Sequence, residues 1–395
     1  MKHPFFRRFH LTAGYPVVPV TVIAVLAACQ PAAAPNGVTR TYYIAADEVV
    51  WDYAPSGANV ITGRQFGEEE NHWMASGPTR VGRVYKKALY REYTDSTFAT
   101  PKPRPPEWEH LGILGPLIRA EVGDTVRIIY RNNVPFPTSL HPHGVFYEKD
   151  SEGAPYEDLT DERDKYDDGV PQGGTHTYVW PIPERTGPAE ADNSTVFWMY
   201  HSHTEEVRDV NAGLIGPMIV HARGTLGSDG RPTDVDREVI LSFLEFNENE
   251  SWFMEENVRT YMSSPDAIMF GRGPFGDRIA TSDGLDWGSN FMETLNGFSY
   301  GHLEGLTMRE GERVRWYLMA STNFEIHAPH WHGNTVTIGR MRTDVSVLLP
   351  MGMAVAEMVP DNPGTWLVHC HVAQHLQGGM MAVYRVLPAA TGASP

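Results

Sequence analysis

Along most of the chain, apolar residues come in short β-branched and aromatic runs broken by Gly, Pro, Asn and Asp. Sustained helical periodicity is scarce. Short runs between turn signals predict strands, and many such strands predict an all-β fold of two Greek-key β-sandwiches or barrels. At 395 residues the chain is long enough for two or three domains, each with a sizeable core. The Gly/Ser/Asp/Pro-rich residues 226–236 read as a linker between a first domain at 38–225 and a second at 237–388, with a short tail at 389–395. Residues 250–290, rich in Gly, Met, Phe and Asp, read as a long loop region, and long loops in compact domains are usually functional.

The two domains copy one another. Residues 121–130 (EVGDTVRIIY) match residues 309–318 (REGERVRWYL), each a Gly-acid turn feeding a β-rich strand. Further on, each copy presents His-x-His-Gly, at His141-Pro142-His143-Gly144 and at His330-Trp331-His332-Gly333. Each then ends in Trp-x-x-His-x-His, at Trp198 to His203 and at Trp366 to His371. Three landmarks in the same order mark an internal duplication.

Charge narrows the function. With 32 Lys+Arg against 49 Asp+Glu, the surface repels nucleic acid and has no electrostatic reason to lie on anionic lipid. The two cysteines, Cys29 and Cys370, supply no disulfide framework. Residues 1–28 have a basic start and a short apolar core interrupted by Pro16 and Pro19, the pattern of an export signal rather than a membrane-spanning helix. Leu26-Ala27-Ala28-Cys29 resembles the bacterial lipobox, which implies a periplasmic or cell-surface lipoprotein anchored through Cys29, with 29–37 as its tether. A signal cleaved near Ala32-Ala33-Ala34 is the alternative, and it also places the chain outside the cytoplasm.

Chemistry is concentrated in the histidines. Ten of the 17 fall in four clusters: His141/His143, His201/His203, His327/His330/His332 and His369/His371/His375. Residues i and i+2 of a strand share a face, so each His-x-His pair offers two imidazoles to one site, and four pairs supply enough for three metal ions. Cys370, between His369 and His371, points to the opposite face. One thiolate, imidazoles at His375 and His327, and the weak thioether of Met380 form the ligand set of a blue copper electron-transfer site. The duplicate positions in the first domain, Ser202 for Cys370 and Thr138 for His327, are poor copper ligands, so that domain is expected to carry no such copper.

These four motifs resemble those of multicopper oxidases over residues 40–388. The flanking text 110–117 (HLGILGPL), 213–218 (GLIGPM) and 316–319 (WYLM) is similar to the ceruloplasmin and hephaestin branch. The resemblance implies cupredoxin-like domains and four coppers per chain. It places type 1 copper at His327, Cys370, His375 and Met380, and type 2 copper at His141 and His330. The type 3 pair falls at His143, His201, His203, His332, His369 and His371. It also implies that Asp168 assists the cluster and its proton delivery. The implied reaction takes single electrons from a small-molecule or metal-ion reductant and reduces O2 to water. Copper nitrite reductase would not need eight imidazoles in four pairs, and a non-catalytic binding protein of the clotting A-domain kind would need none of the set. Six such domains close a ring in ceruloplasmin-like proteins, so two domains per chain imply a homotrimer. The family's iron-binding carboxylates are only partly kept. Gln374 and Gly288 stand at two acidic positions, and Glu293 stands where the family has histidine. The expected donor is therefore a laccase-type phenol or similar small molecule, with iron(II) or copper(I) as the alternative.

Overall fold

The computed structural model describes residues 37–390 apart from 229, 273–277, 281–283 and 322–324, so residues 1–28, expected to be an export signal, and Cys29 lie outside the described residues. In the first half the strands are β1 (Thr39–Asp52), β2 (Val84–Glu92), β3 (Ile118–Glu121), β4 (Thr125–Asn132), β5 (His141–Pro142), β6 (Thr175–Pro181), β7 (Thr195–His201) and β8 (Ile215–His221). Helix α1 (Glu206–Ala212) lies between β7 and β8. The strands form two sheets, in the orders β2-β1-β4-β6 and β3-β8-β7-β5. The pairs β1 with β4 and β8 with β3 are parallel, which hairpins cannot produce and which requires chain crossing between the sheets.

The second half repeats this plan. Its strands are β9 (Arg237–Asn247), β10 (Phe291–Leu295), β11 (Thr307–Arg309), β12 (Val314–Ala320), β13 (Pro329–Trp331), β14 (Val336–Ile338), β15 (Met341–Thr343), β16 (Met353–Met358), β17 (Gly364–Cys370) and β18 (Met381–Leu387). The sheet orders β10-β9-β12-β16-β14-β15 and β11-β18-β17-β13 match those of the first half apart from the added β14 and β15, again with parallel pairs β9 with β12 and β18 with β11. The duplication read from three motifs is thus carried by the strand order of both halves. The expected loop at 250–290 departs from its reading. It contains helix α2 (Met254–Tyr261) and the short paired strands Phe270–Arg272 and Arg278–Ala280. Met254 and Val258 of α2 are one turn apart on a face packed into the core, and four residues of periodic pattern are too few to stand out in a sequence.

Three apolar cores hold these sheets. One fills the first half around Ile128, Tyr178 and Trp180, and one fills the second around Trp316, Val368 and Tyr384. The third joins the halves, with Phe197, Met199 and Ile215 of one packed among Ile240, Leu244 and Met319 of the other. Within this junction Lys87 and Glu248 form a fully buried ion pair. Lys87 Nζ also donates to the Asn211 carbonyl of α1 at 2.6 Å, and the Tyr53 hydroxyl donates to Glu248 at 2.5 Å. Removing one partner of such a pair strands the other charge in low dielectric. Lys87→Met is therefore expected to lower the unfolding free energy by about 3–5 kcal/mol, read as a shifted urea midpoint at unchanged m-value.

Candidate metal centre

Duplicated strand pairs set the histidines in place. In the first half β5 pairs antiparallel to β7, with His141 opposite His201. In the second, β13 pairs with β17, with His330 opposite His369. His203 and His371 fall just past the ends of their strands. Each half gathers four imidazoles. His141 lies 5.7, 5.6 and 4.9 Å from His143, His201 and His203 between ring centroids. His330 lies 4.8, 5.2 and 5.2 Å from His332, His369 and His371. His143 Nε2 and His201 Nε2 are 3.1 Å apart, and so are His332 Nε2 and His369 Nε2. Among the described residues, the imidazole contacts of each set stay within that set.

The tautomers follow from the backbone. Nδ1 of His141, His201, His330 and His369 lies 2.7, 3.0, 2.8 and 2.7 Å from the carbonyl oxygens of Glu152, Ser202, Asp344 and Cys370. A carbonyl only accepts, so Nδ1 carries the proton and Nε2 keeps its lone pair free for a cation. Burial favours the neutral ring of His143, lowered to about 4, and of His201, pushed well below its ordinary range.

Behind the second set lies a different donor group. Cys370 Sγ is 3.9 Å from His327 Nδ1 and 3.4 Å from His375 Nδ1, and all three residues are buried. The Ala328 N–H donates to this sulfur at 3.2 Å. Met380 is fully buried beside them, its backbone N–H donating to the His375 carbonyl at 2.9 Å and its carbonyl accepting from Cys370 at 3.1 Å. Burial raises the Cys370 thiol and lowers His327 to about 3. A thiol kept protonated and imidazoles kept neutral suit a soft cation, which binds the thiolate and displaces its proton. In the first half no such group forms. Ser202 Oγ donates to Asp209, and the Thr138 hydroxyl meets that of Tyr130.

Asp168 sits on a 3₁₀ turn, Asp167–Gly169, where its carbonyl accepts from the Thr204 hydroxyl one residue past His203. Burial and the neighbouring Asp167 raise its carboxyl to about 6, a value suited to proton exchange near neutrality. The lone histidines His72, His110, His176, His221 and His302 join no cluster, bonding instead to Asp286, Ile240, Asp150, Arg119 and Ser299. One constellation escaped the sequence. Glu245 and Glu293 are buried beside each other, and their carboxylates and a His375 ring nitrogen all lie within 4.8 Å. Burial and the facing Glu245 push Glu293 well above the usual carboxylate range. The available signal was an acid inside the otherwise apolar run of β9.

Two stretches of the chain, 111–225 and 281–390, match multicopper oxidase family models. The ferroxidase HEPHL1 of Mus musculus is 44% identical over 355 residues, covering 89% of this chain and 29% of that protein. The chain belongs to the multicopper oxidase family. Its relatives include Homo sapiens hephaestin, 41% identical over 89% of this chain and 30% of that protein, and Homo sapiens ceruloplasmin, 39% identical over 88% and 31%. The chain spans less than a third of the length of these relatives. The solved multicopper oxidase mgLAC superposes with a TM-score of 0.55 at 20% identity, covering 90% of this chain and 88% of that one, and places the fold of this family member as cupredoxin-like.

Proposed function

We propose that the protein is an exported oxidase that couples one-electron oxidation of a reductant to four-electron reduction of O2 to water. The observation that carries this reading is the placement of Cys370: its sulfur faces His327 and His375, while its neighbours in the chain, His369 and His371, join the second imidazole set. Copper bound at these donors supplies one-electron redox chemistry and a place for O2. His327, Cys370, His375 and Met380 would hold the type 1 copper, His141 and His330 the type 2 copper, and the other six imidazoles the type 3 pair, four coppers per chain. Electrons entering at Cys370 would have only covalent bonds to cross to reach His369 or His371. Asp168 would hold a proton near the first set.

Each four-imidazole set is half of what three coppers need, so a complete cluster calls for a second chain. The second set is open to one. His332 and His371 are exposed, and Ile326, Met341, Val347 and Leu349, in the segments flanking His330, are 47–73% exposed. Exposed apolar residues in the segments beside an open metal-ligand set support a contact there. We infer a homotrimer in which domain 1 (38–225) of one chain and domain 2 (237–388) of the next share each cluster. The lipid anchor at Cys29 would hold this assembly at a membrane surface. No helix among the described residues is long and apolar enough to cross one.

Gln374 is exposed next to His375 and Gly288 carries no charge, which supports a phenol or other small donor. The buried Glu245 and Glu293 against His375 favour a metal-ion donor as the second reading, since two carboxylates suit a hard divalent cation. Oxygen uptake with iron(II), copper(I), manganese(II) and phenols separates the two. On the phenol reading, Gln374→Asp lowers the iron(II) KM severalfold and leaves phenol turnover unchanged. A wild-type kcat/KM for iron(II) far above that of any phenol decides for the metal ion.

A further inference from the structure

The two halves hold their His-x-His motifs by equivalent bonds, with one substitution at the centre. In the second half the Ala328 N–H, two residues before His330, donates to Cys370 Sγ, between His369 and His371. In the first half the Ser139 N–H, two residues before His141, donates to Ser202 Oγ, between His201 and His203, at 3.0 Å. Where the second half offers its thiol to a cation, the first half offers its serine hydroxyl to Asp209 Oδ2 at 2.6 Å. Asp209 is fully buried on α1, and its other bonds are fully specified. Oδ2 also accepts from the Glu205 N–H at 3.0 Å, and Oδ1 accepts from Trp252 Nε1 of the second half at 2.8 Å. The chain of bonds continues outward. The Ser139 hydroxyl accepts from the His203 N–H at 3.0 Å and donates to the Gly153 carbonyl at 2.6 Å, next to Glu152, whose carbonyl orients His141.

We propose that Asp209 is a positioning residue for the first-half imidazoles: through Ser202 and Ser139 it fixes the backbone carrying His141, His201 and His203, the task that the type 1 donor group performs in the second half. Three N–H or O–H donors converge on its carboxylate, so an amide of the same shape turns at least one N–H toward a donor. Trp252 adds a link across the molecule, because its ring stacks on Phe136 at 4.8 Å and its N–H holds Asp209 from the second half.

This inference rests on the reading that the first-half imidazoles hold copper, and the test keeps the two apart. The copper-loaded full chain is compared with Asp209→Asn, Ser202→Ala and their double variant, reading copper retained against a chelator, the type 2 electron paramagnetic resonance signal and the type 1 absorption. Residues that orient metal ligands typically change metal affinity by about 10–100-fold. The expected result is cluster copper held that much more weakly, with an altered type 2 signal and type 1 absorption at wild-type intensity. The double variant should lose less than the sum of the single ones, since both break the Ser202–Asp209 bond. Wild-type retention in Asp209→Asn, or equal loss of type 1 and cluster copper, overturns the inference. If Asp209→Asn does not fold, Ser202→Ala and Trp252→Phe decide by the same selective loss or its absence. A wild-type chain that binds only the type 1 copper overturns the underlying reading instead.

Discussion

Cys370→Ser is expected to leave the copper-loaded protein colourless and unable to oxidise any donor, while most cluster copper stays bound. The blue colour requires a thiolate on copper, and Cys370 is the only cysteine among the described residues. A serine hydroxyl in its place is a hard, protonated donor that would neither bind a type 1 copper well nor conduct an electron to His369 and His371. Ser202 occupies the duplicate position, receives the duplicate N–H bond from Ser139 and is fully buried. His330 and His369 keep their carbonyl anchors, and all four imidazoles of the second set keep their ring contacts, because none of these uses the sulfur. Absorption spectroscopy, copper quantitation and oxygen uptake on one preparation check this, and a variant that remains blue rejects the type 1 assignment.

The second large effect comes from mixing chains. On the proposed assignment His143→Ala removes a first-half ligand and His332→Ala a second-half ligand, and each alone is expected to abolish O2 reduction. If each cluster takes its first half from one chain and its second from the next, a mixed trimer has one junction where both contributions are intact. A mixed trimer has one sound cluster in three, so protein purified through both tags, which holds only mixed trimers, is expected to recover about a third of wild-type activity. Clusters built within one chain give no recovery. Co-expression with two affinity tags, followed by oxygen uptake on the doubly purified protein and sedimentation to establish three chains, checks both parts. A copper-replete, active monomer rejects the shared cluster outright.

Much of this molecule is legible from short-range spacing. A strand's two-residue period places His330 with His332 and His369 with His371, and the covalent bonds of the chain put Cys370 between them on the other face. Turn residues and β-branched runs mark the strands, and the repeated motifs mark the duplication, because these depend on neighbours a few residues away. Only the tertiary structure decides which distant side chains meet. His327 reaches Cys370 from 43 residues away because the segment before β13 lies beside β17. Glu245 on β9 faces Glu293 because their strands pair in that register. Trp252 finds Asp209, and Lys87 finds Glu248, because the third core clamps the halves together. Such contacts depend on sheet register and on packing between elements, and no local pattern encodes either. The division of eight imidazoles into two separate sets of four is of this kind, since sequence counts ligands and only the fold says how far apart they stand.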